Sequence, residues 1–220
     1  MQSASSVNDH TLYGTDPDAV KEPLREGPAW QTENWRYMAE VRLRPIQIAD
    51  AEKCFRWVSN PEVRQYLGLI QPARTLHQER SWIAGIIADK QHHRTFVIED
   101  ECGIAIGTCG LRAIDADGGT ALLGMMIGEP RLWGRGYGTA AAGALLAYAF
   151  GELDLKEVRL SCHVENGGAI RCYEKVGFEI GSRREGQSGA RAHEVWMAIG
   201  RARWEAVWHD RTAAKPDSEG

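Results

Sequence analysis

Three alternating glycines, Gly134, Gly136 and Gly138, stand between a strand-like apolar run, residues 120–127, and a long helical pattern, residues 140–150. Glycine takes positive φ at no steric cost, so a chain so spaced can turn sharply and leave its N–H groups uncovered. The helix that follows adds the partial positive charge of its N-terminus, and the combination binds phosphate. A glycine-rich turn with no ligand is the plainer reading of the same residues. On either reading the chain must pass here from strand through a tight turn into a helix.

The remaining order of elements follows from periodicity. Residues 41–45 alternate apolar with charged side chains, as a half-buried strand does, and Pro45 ends it. Asp50 caps a helix over residues 51–59, which Asn60-Pro61 stops. One or two further turns follow over 62–67, then a loop over 69–75 and a helix over 76–89. Residues 95–99 and 104–111 form a hairpin about the turn 100–103, and a second turn at 115–119 leads into the strand 121–127. Next come a strand at 157–164 and a helix at 167–176 ended by Gly177. An antiparallel pair, 178–183 and 193–199, and a final amphipathic helix over 201–209 close the chain. The pattern is α+β: a mixed, mostly antiparallel sheet with helices on both faces and one strand–helix–strand crossover at the glycine turn.

Composition narrows the function classes. The net charge of −4 gives no electrostatic footprint for nucleic acid or an anionic membrane. Apolar residues at 43% and charged residues at 25% are ordinary for a soluble globular protein. Five cysteines, odd in number and never in a C-x-x-C pair, read as reduced thiols and predict a cytoplasmic location. The seven histidines show no metal-ligand spacing, so no metal is expected. No signal peptide is expected, and the sequence holds no apolar run of membrane-spanning length. The expected division is a flexible tail over 1–28, one domain over 29–211 with an aromatic arm at 29–40 carrying Trp30, Trp35 and Tyr37, and a C-terminal tail over 212–220.

A second block, residues 166–178, reads N-x-x-A-I-x-x-Y-x-K-x-G-F, with Asn166, Ala169, Tyr173, Lys175, Gly177 and Phe178 at the named places. With it the chain resembles the GCN5-related N-acetyltransferase superfamily, whose acyl-CoA loop is Q/R-x-x-G-x-G/A. Residues 133–138 fit that loop except at Trp133, and a tryptophan there resembles the branch of ribosomal-protein N-terminal-alanine acetyltransferases. The resemblance covers about residues 41–208. It implies a fold in which two central strands, here 121–127 and 157–164, splay apart to admit the pantetheine arm of acetyl-CoA.

On that resemblance, Trp133, Gly134, Arg135, Gly136, Tyr137, Gly138 and Thr139 are the expected pyrophosphate cradle. Met126 and Ile127 would bond the pantetheine as an added strand does, although alone they read as core. Asn166 and Ala169 are expected at the cofactor, and Asn166 serves equally as a helix cap. Tyr173 is the expected acid, because a departing thiolate gains from a hydrogen bond or a proton. The base is open. Leu122 and Leu123 stand where many relatives carry Glu, Glu129 lies beyond the strand, and His163, Asp115, Asp117 and Glu101 are substitutes.

The expected acceptor is a small-molecule or peptide amine, bound between the loops 60–75 and 184–191, with Glu62 and Tyr66 in contact. Arg183, Arg184 and Arg191 argue against a highly cationic amine. The main expectation is therefore transfer of acetyl from acetyl-CoA to a primary amine in a ternary complex. A spermidine- or aminoglycoside-type enzyme and a non-catalytic acyl-CoA sensor are the alternatives. The reading admits a homodimer and expects no nucleic-acid or membrane partner.

Overall fold

A computed structural model describes residues 40–67, 75–185 and 193–213. In chain order these form β1 (Arg42–Pro45), α1 (Ala51–Ser59), α2 (Pro61–Arg64), α3 (Leu76–Ala88), β2 (Arg94–Glu99), β3 (Ala105–Asp115) and β4 (Thr120–Ile127). They continue with α4 (Tyr137–Gly151), β5 (Glu157–His163), α5 (Gly167–Lys175), β6 (Glu179–Glu185), β7 (His193–Gly200) and α6 (Arg201–Ala213). The strands make one seven-stranded sheet in the order β1-β2-β3-β4-β5-β7-β6. Neighbours are antiparallel except β4 and β5, which are joined through α4 and run parallel. This is the α+β architecture that the periodicity predicts.

The central pair determines everything near the site. Thr120, Ala121 and Leu122 pair with Glu157, Val158 and Arg159, and the pairing stops there. Beyond those three rungs β4 holds only to β3, and β5 only to β7, out to Ile127 and His163. The two strands therefore splay.

Alternation sends successive β4 side chains to opposite faces. Leu123, Met125 and Ile127 join a core of Leu111, Leu145, Leu146, Phe150, Val158, Leu160 and Ile199. Met126 joins the second core, in which Ala51, Cys54 and Trp57 of α1 meet Ile83 of α3 and Val97 of β2. Helix α4 is apolar on every side and buries Leu145, Leu146, Ala149 and Phe150, as a helix must that lies between a sheet and other helices. The final helix packs by Trp204, whose ring lies 5.5 Å from that of Phe150, and by Val207, which approaches Gly177.

Several boundaries differ from the sequence reading. β3 runs four residues past Leu111 because it continues through a bulge between Arg112 and Asp115, where Ala113 takes φ 48. α4 starts at Tyr137 rather than 140, since Gly136 at φ 93 already caps it. A short 3-10 turn, Pro130–Leu132, lies between β4 and the glycines. The aromatic arm at 29–39, the tail at 1–28, the loop residues 68–74 and 186–192, and the tail residues 214–220 lie outside the described residues.

Candidate active site

The chain leaves β4 through Gly128, whose N–H donates to Ile106 (2.8 Å) and whose missing side chain makes room for Trp57. A Cβ there would fall 2.1 Å from the indole. Trp57 in turn donates Nε1–H to Glu129 (3.0 Å), which fixes the start of the turn against α1. Trp133 folds back, and its indole N–H donates to the carbonyl of Ile127 (2.8 Å). Its ring is tilted against Tyr66, 6.5 Å away. Gly134 at φ 74 and Gly136 at φ 93 then deliver the chain into α4, so the first N–H groups of this helix lie beside two glycines that carry no side chain.

The splay and this turn enclose a cleft of about 450 Å³. Its walls include Met125, Met126 and Ile127 of β4, Trp133, Gly134, Gly136, Gly138 and Thr139 of the turn, and Asn166, Ala169 and Tyr173 of the second block. The two sequence blocks thus meet across the gap between β4 and β5. Val63, Tyr66 and Leu67 close the cleft from the side of α2.

Not every expected residue is on this wall. Arg135 is exposed, and Tyr137 is buried with its hydroxyl donating to the Glu101 carboxylate (3.1 Å), so neither side chain lines the cleft. Burial, and then the bond to Glu101, hold the Tyr137 phenol above its ordinary range. Glu62 is exposed in the first turn of α2, where Asn60 Oδ1 accepts its N–H (3.0 Å), and it too lies off the wall. Pro61 begins a helix whose inward residues are Val63 and then Tyr66 and Leu67 in the turn beyond, which leaves Glu62 to solvent.

Asn166 fills both of its expected places: its Oδ1 accepts the Ala169 N–H (3.0 Å) as a cap, and it also lines the cleft. Gly138, inside the first turn of α4, is close-packed. A Cβ would come within 3.3 Å of Cys172 Sγ and 3.6 Å of Met125. Cys172 also accepts from the Thr139 hydroxyl (3.6 Å), and burial holds its thiol above the ordinary range despite that bond and the nearby Lys175. A neutral thiol is a poor nucleophile, so Cys172 is no rival to an amine at neutral pH.

Tyr173 is 5% exposed, set edge-on to Phe178 with ring centroids 5.6 Å apart, and still reaches the cleft. Its hydroxyl makes no hydrogen bond among the described residues. Burial, and after it the thiols of Cys172, Cys162 and Cys109, push the phenol well above its ordinary range. It stays protonated at any physiological pH and is available as a donor.

The proposed bases are elsewhere. His163 Nδ1 accepts the Glu165 N–H (3.3 Å), and Glu101 accepts from Tyr137. Asp115 accepts the Gly118 N–H (2.9 Å), and Asp117 is exposed in that turn. Neither these four nor Glu129 lines the cleft, and no Asp, Glu or His stands on its wall among the described residues. Met125, Leu132, Gly168, Arg171, Cys172 and Lys175 line it without having been expected to, and Val63 and Leu67 lie in the expected stretch 60–75 without having been singled out. The i, i+4 spacing of Val63 and Leu67 is a signal that would have found two of them.

Comparison with known proteins agrees with this arrangement. The profile of the acetyltransferase (GNAT) domain matches residues 40–179. An uncharacterized N-acetyltransferase, p20, of Bacillus licheniformis is 30% identical over 146 residues, 65% of this chain and 81% of that protein. The uncharacterized protein YkkB of Bacillus subtilis (strain 168) is 28% identical over 143 residues, 63% of this chain and 81% of that protein. Among solved structures, spermidine N-acetyltransferase from Vibrio cholerae in complex with CoA and spermine has the same fold, with a TM-score of 0.67 at 24% identity over 75% of this chain and 98% of that one. A splayed parallel pair, a glycine turn at the head of α4 and a matching domain profile lead to one conclusion: this chain belongs to the GCN5-related N-acetyltransferase (GNAT) family and is an acyltransferase.

Proposed function

We propose that the enzyme moves an acetyl group from acetyl-CoA to a primary amine by direct attack in a ternary complex. The observation that carries this reading is the cleft itself, which runs unbroken from the glycine turn, past the free edge of β4, to Tyr173 and on to Tyr66. The backbone N–H groups at Gly134, Gly136 and the head of α4 suit a pyrophosphate. The outer half of β4, which no strand pairs on the β5 side and whose Ile127 carbonyl is taken by the Trp133 indole, suits the amides of a pantetheine arm at its remaining backbone groups.

In the reaction the amine lone pair attacks the thioester carbonyl carbon. The tetrahedral adduct gives one proton of its new ammonium to water and expels the sulfur, which takes its hydrogen bond or proton from the Tyr173 hydroxyl, and a phenol that gives its proton regains one from water. The amine must arrive neutral. With no carboxylate or imidazole on the described wall, its proton leaves through water or before entry. The tryptophan at 133 keeps the ribosomal-protein alanine acetyltransferase branch as the reading of the lineage, and a peptide N-terminus as one form of acceptor.

The fold shared with the spermidine enzyme supports a second reading, a small-amine acetyltransferase. The absence of a carboxylate from the described wall speaks against a polyamine as its acceptor. Calorimetry with acetyl-CoA, followed by thiol release with a panel of amines, tests both readings. Binding with thiol release on adding an amine is the expected result. Binding with no turnover on any amine would leave a non-catalytic acyl-CoA sensor.

A further inference from the structure

We propose that Trp133 is a positioning residue that joins the cofactor side of the cleft to its α2 wall: a cofactor seated along the outer edge of β4 holds the indole, and the indole holds Tyr66. The inference rests on the acetyltransferase reading above and adds a residue to the machinery of that site.

The ladder between β3 and β4 shows which edge the indole guards. The Gly128 N–H donates to the Ile106 carbonyl (2.8 Å), so these two residues form a pair of the hydrogen-bonded kind. The register is unbroken from there back to Leu122 and Arg112. Such pairs recur at every second residue, so Met126 and Gly124 also direct their backbone groups to β3. Leu123, Met125 and Ile127 therefore turn theirs the other way, to the side on which β5 pairs no further than Leu122. Ile127 is the last of this row, and its carbonyl accepts the Trp133 indole N–H (2.8 Å). The indole caps the row and lines the cleft between Ile127 and Gly134. Amides paired to the rest of the row must pass it to reach the glycine turn.

Two aromatic residues fasten this exit segment to the helices α1 and α2, and they differ in kind. Trp57, 4% exposed, packs against Gly128 within the second core and donates to Glu129. A contact so buried keeps its place whether or not the cleft is filled. Trp133 is 39% exposed, and its ring is tilted 56° to that of half-buried Tyr66. Both rings stand on the cleft wall. Tyr66 lies in the turn that ends α2, where its N–H donates to Val63 (3.4 Å) and that of Leu67 to Arg64 (3.0 Å). α2 is four residues long, and so short a helix is marginal without a neighbour to lean on. Trp133 is the movable link of the two, anchored by its N–H to the cofactor edge and by its face to this short helix.

The test is amide hydrogen exchange of the full chain with and without saturating CoA, in wild type, Trp133→Ala, Trp133→Phe and Tyr66→Leu. CoA should slow exchange at residues 134–139 in every protein. In wild type it should also slow residues 64–67, whose amides carry the hydrogen bonds of α2, by about threefold or more. That second protection should vanish in Trp133→Ala and Tyr66→Leu, and shrink in Trp133→Phe, which keeps a ring but loses the N–H. Combining Trp133→Ala with Tyr66→Leu should remove nothing further. If the alanine variant unfolds, Trp133→Phe and Tyr66→Leu decide the matter. Protection of 64–67 as strong in the variants as in wild type would mean that CoA reaches α2 without the indole, and it would overturn the proposal, as would its absence from wild type. No protection of 134–139 in wild type would instead remove the acetyltransferase reading, and the link with it.

Discussion

Tyr173 shows how one side chain can serve both packing and chemistry. Its ring is held by Phe178 and the α4 core, while its hydroxyl has no partner among the described residues and faces the cleft. Removing that hydroxyl should leave the fold alone, because no internal hydrogen bond is lost. Tyr173→Phe is therefore expected to lower kcat by about a hundredfold, with acetyl-CoA affinity and melting temperature unchanged. Equal turnover in the two proteins would make Tyr173 a packing residue only. Because burial raises the phenol, it loses its proton only above the ordinary tyrosine value of 10.0. The rate profile should accordingly show no fall from Tyr173 as pH passes that value. Gly128 makes the opposite point: here the absent side chain is what matters. Gly128→Ala sets a methyl 2.1 Å from an indole that is 4% exposed and anchored to Glu129. The expected cost is about 1–3 kcal/mol, read as a lower denaturation midpoint.

At the scale of the element, the head of α4 is the sensitive part. Gly136 caps it at φ 93, a conformation that costs a side-chain-bearing residue about 1–3 kcal/mol. Gly136→Asp adds a negative charge where phosphate is expected, and acetyl-CoA binding should be lost in calorimetry while the protein remains folded. Unchanged affinity would remove the turn from the cofactor site. Most elements were legible in the sequence because their patterns are strong: β1 and β5 in their alternation, β2 and β4 in short apolar runs bounded by turns, α1 in its inward Cys54 and Trp57. The head of α4 was less legible, since a helix apolar on every side has no face for a period to reveal. The two blocks of the site were found by motif and do meet in one cleft. Glu62 was placed by charge and loop position alone, and the cap made by Asn60 turns its segment so that Val63, Tyr66 and Leu67 face inward instead.

Across the whole molecule, one ionic cluster ties the sheet edge to the first helix. Glu99, 5% exposed, accepts from Arg42 (2.6 Å) and Arg44 (2.7 Å), and Arg44 continues to Asp50 (2.7 Å) at the head of α1. Burial alone would push both carboxyls up. The bonds from the arginines outweigh it, with the Gln47 N–H adding to Asp50, and hold both below their ordinary values of 4.5 and 3.8. Groups depressed in the folded state stabilise it above those ordinary values and stop doing so as pH falls through the lowered ones. The enzyme should lose stability below about pH 4, and Arg44→Ala should move the acid midpoint upward and cost about 3 kcal/mol at neutral pH. An acid titration followed by circular dichroism, with the same midpoint in both proteins, would contradict this.

The three-rung junction between β4 and β5 has a consequence for how the molecule assembles. β1 to β4 form an antiparallel meander from chain neighbours, and β7 lies between β5 and β6, antiparallel to both, so each group can pair without the other. The parallel junction closes only after α4 has crossed between them, which places it late in folding. It is also the narrowest seam in the native sheet. Amide exchange should be fastest among the buried strands along this seam, and a ligand lying across it should slow that exchange by stitching the two strand groups together.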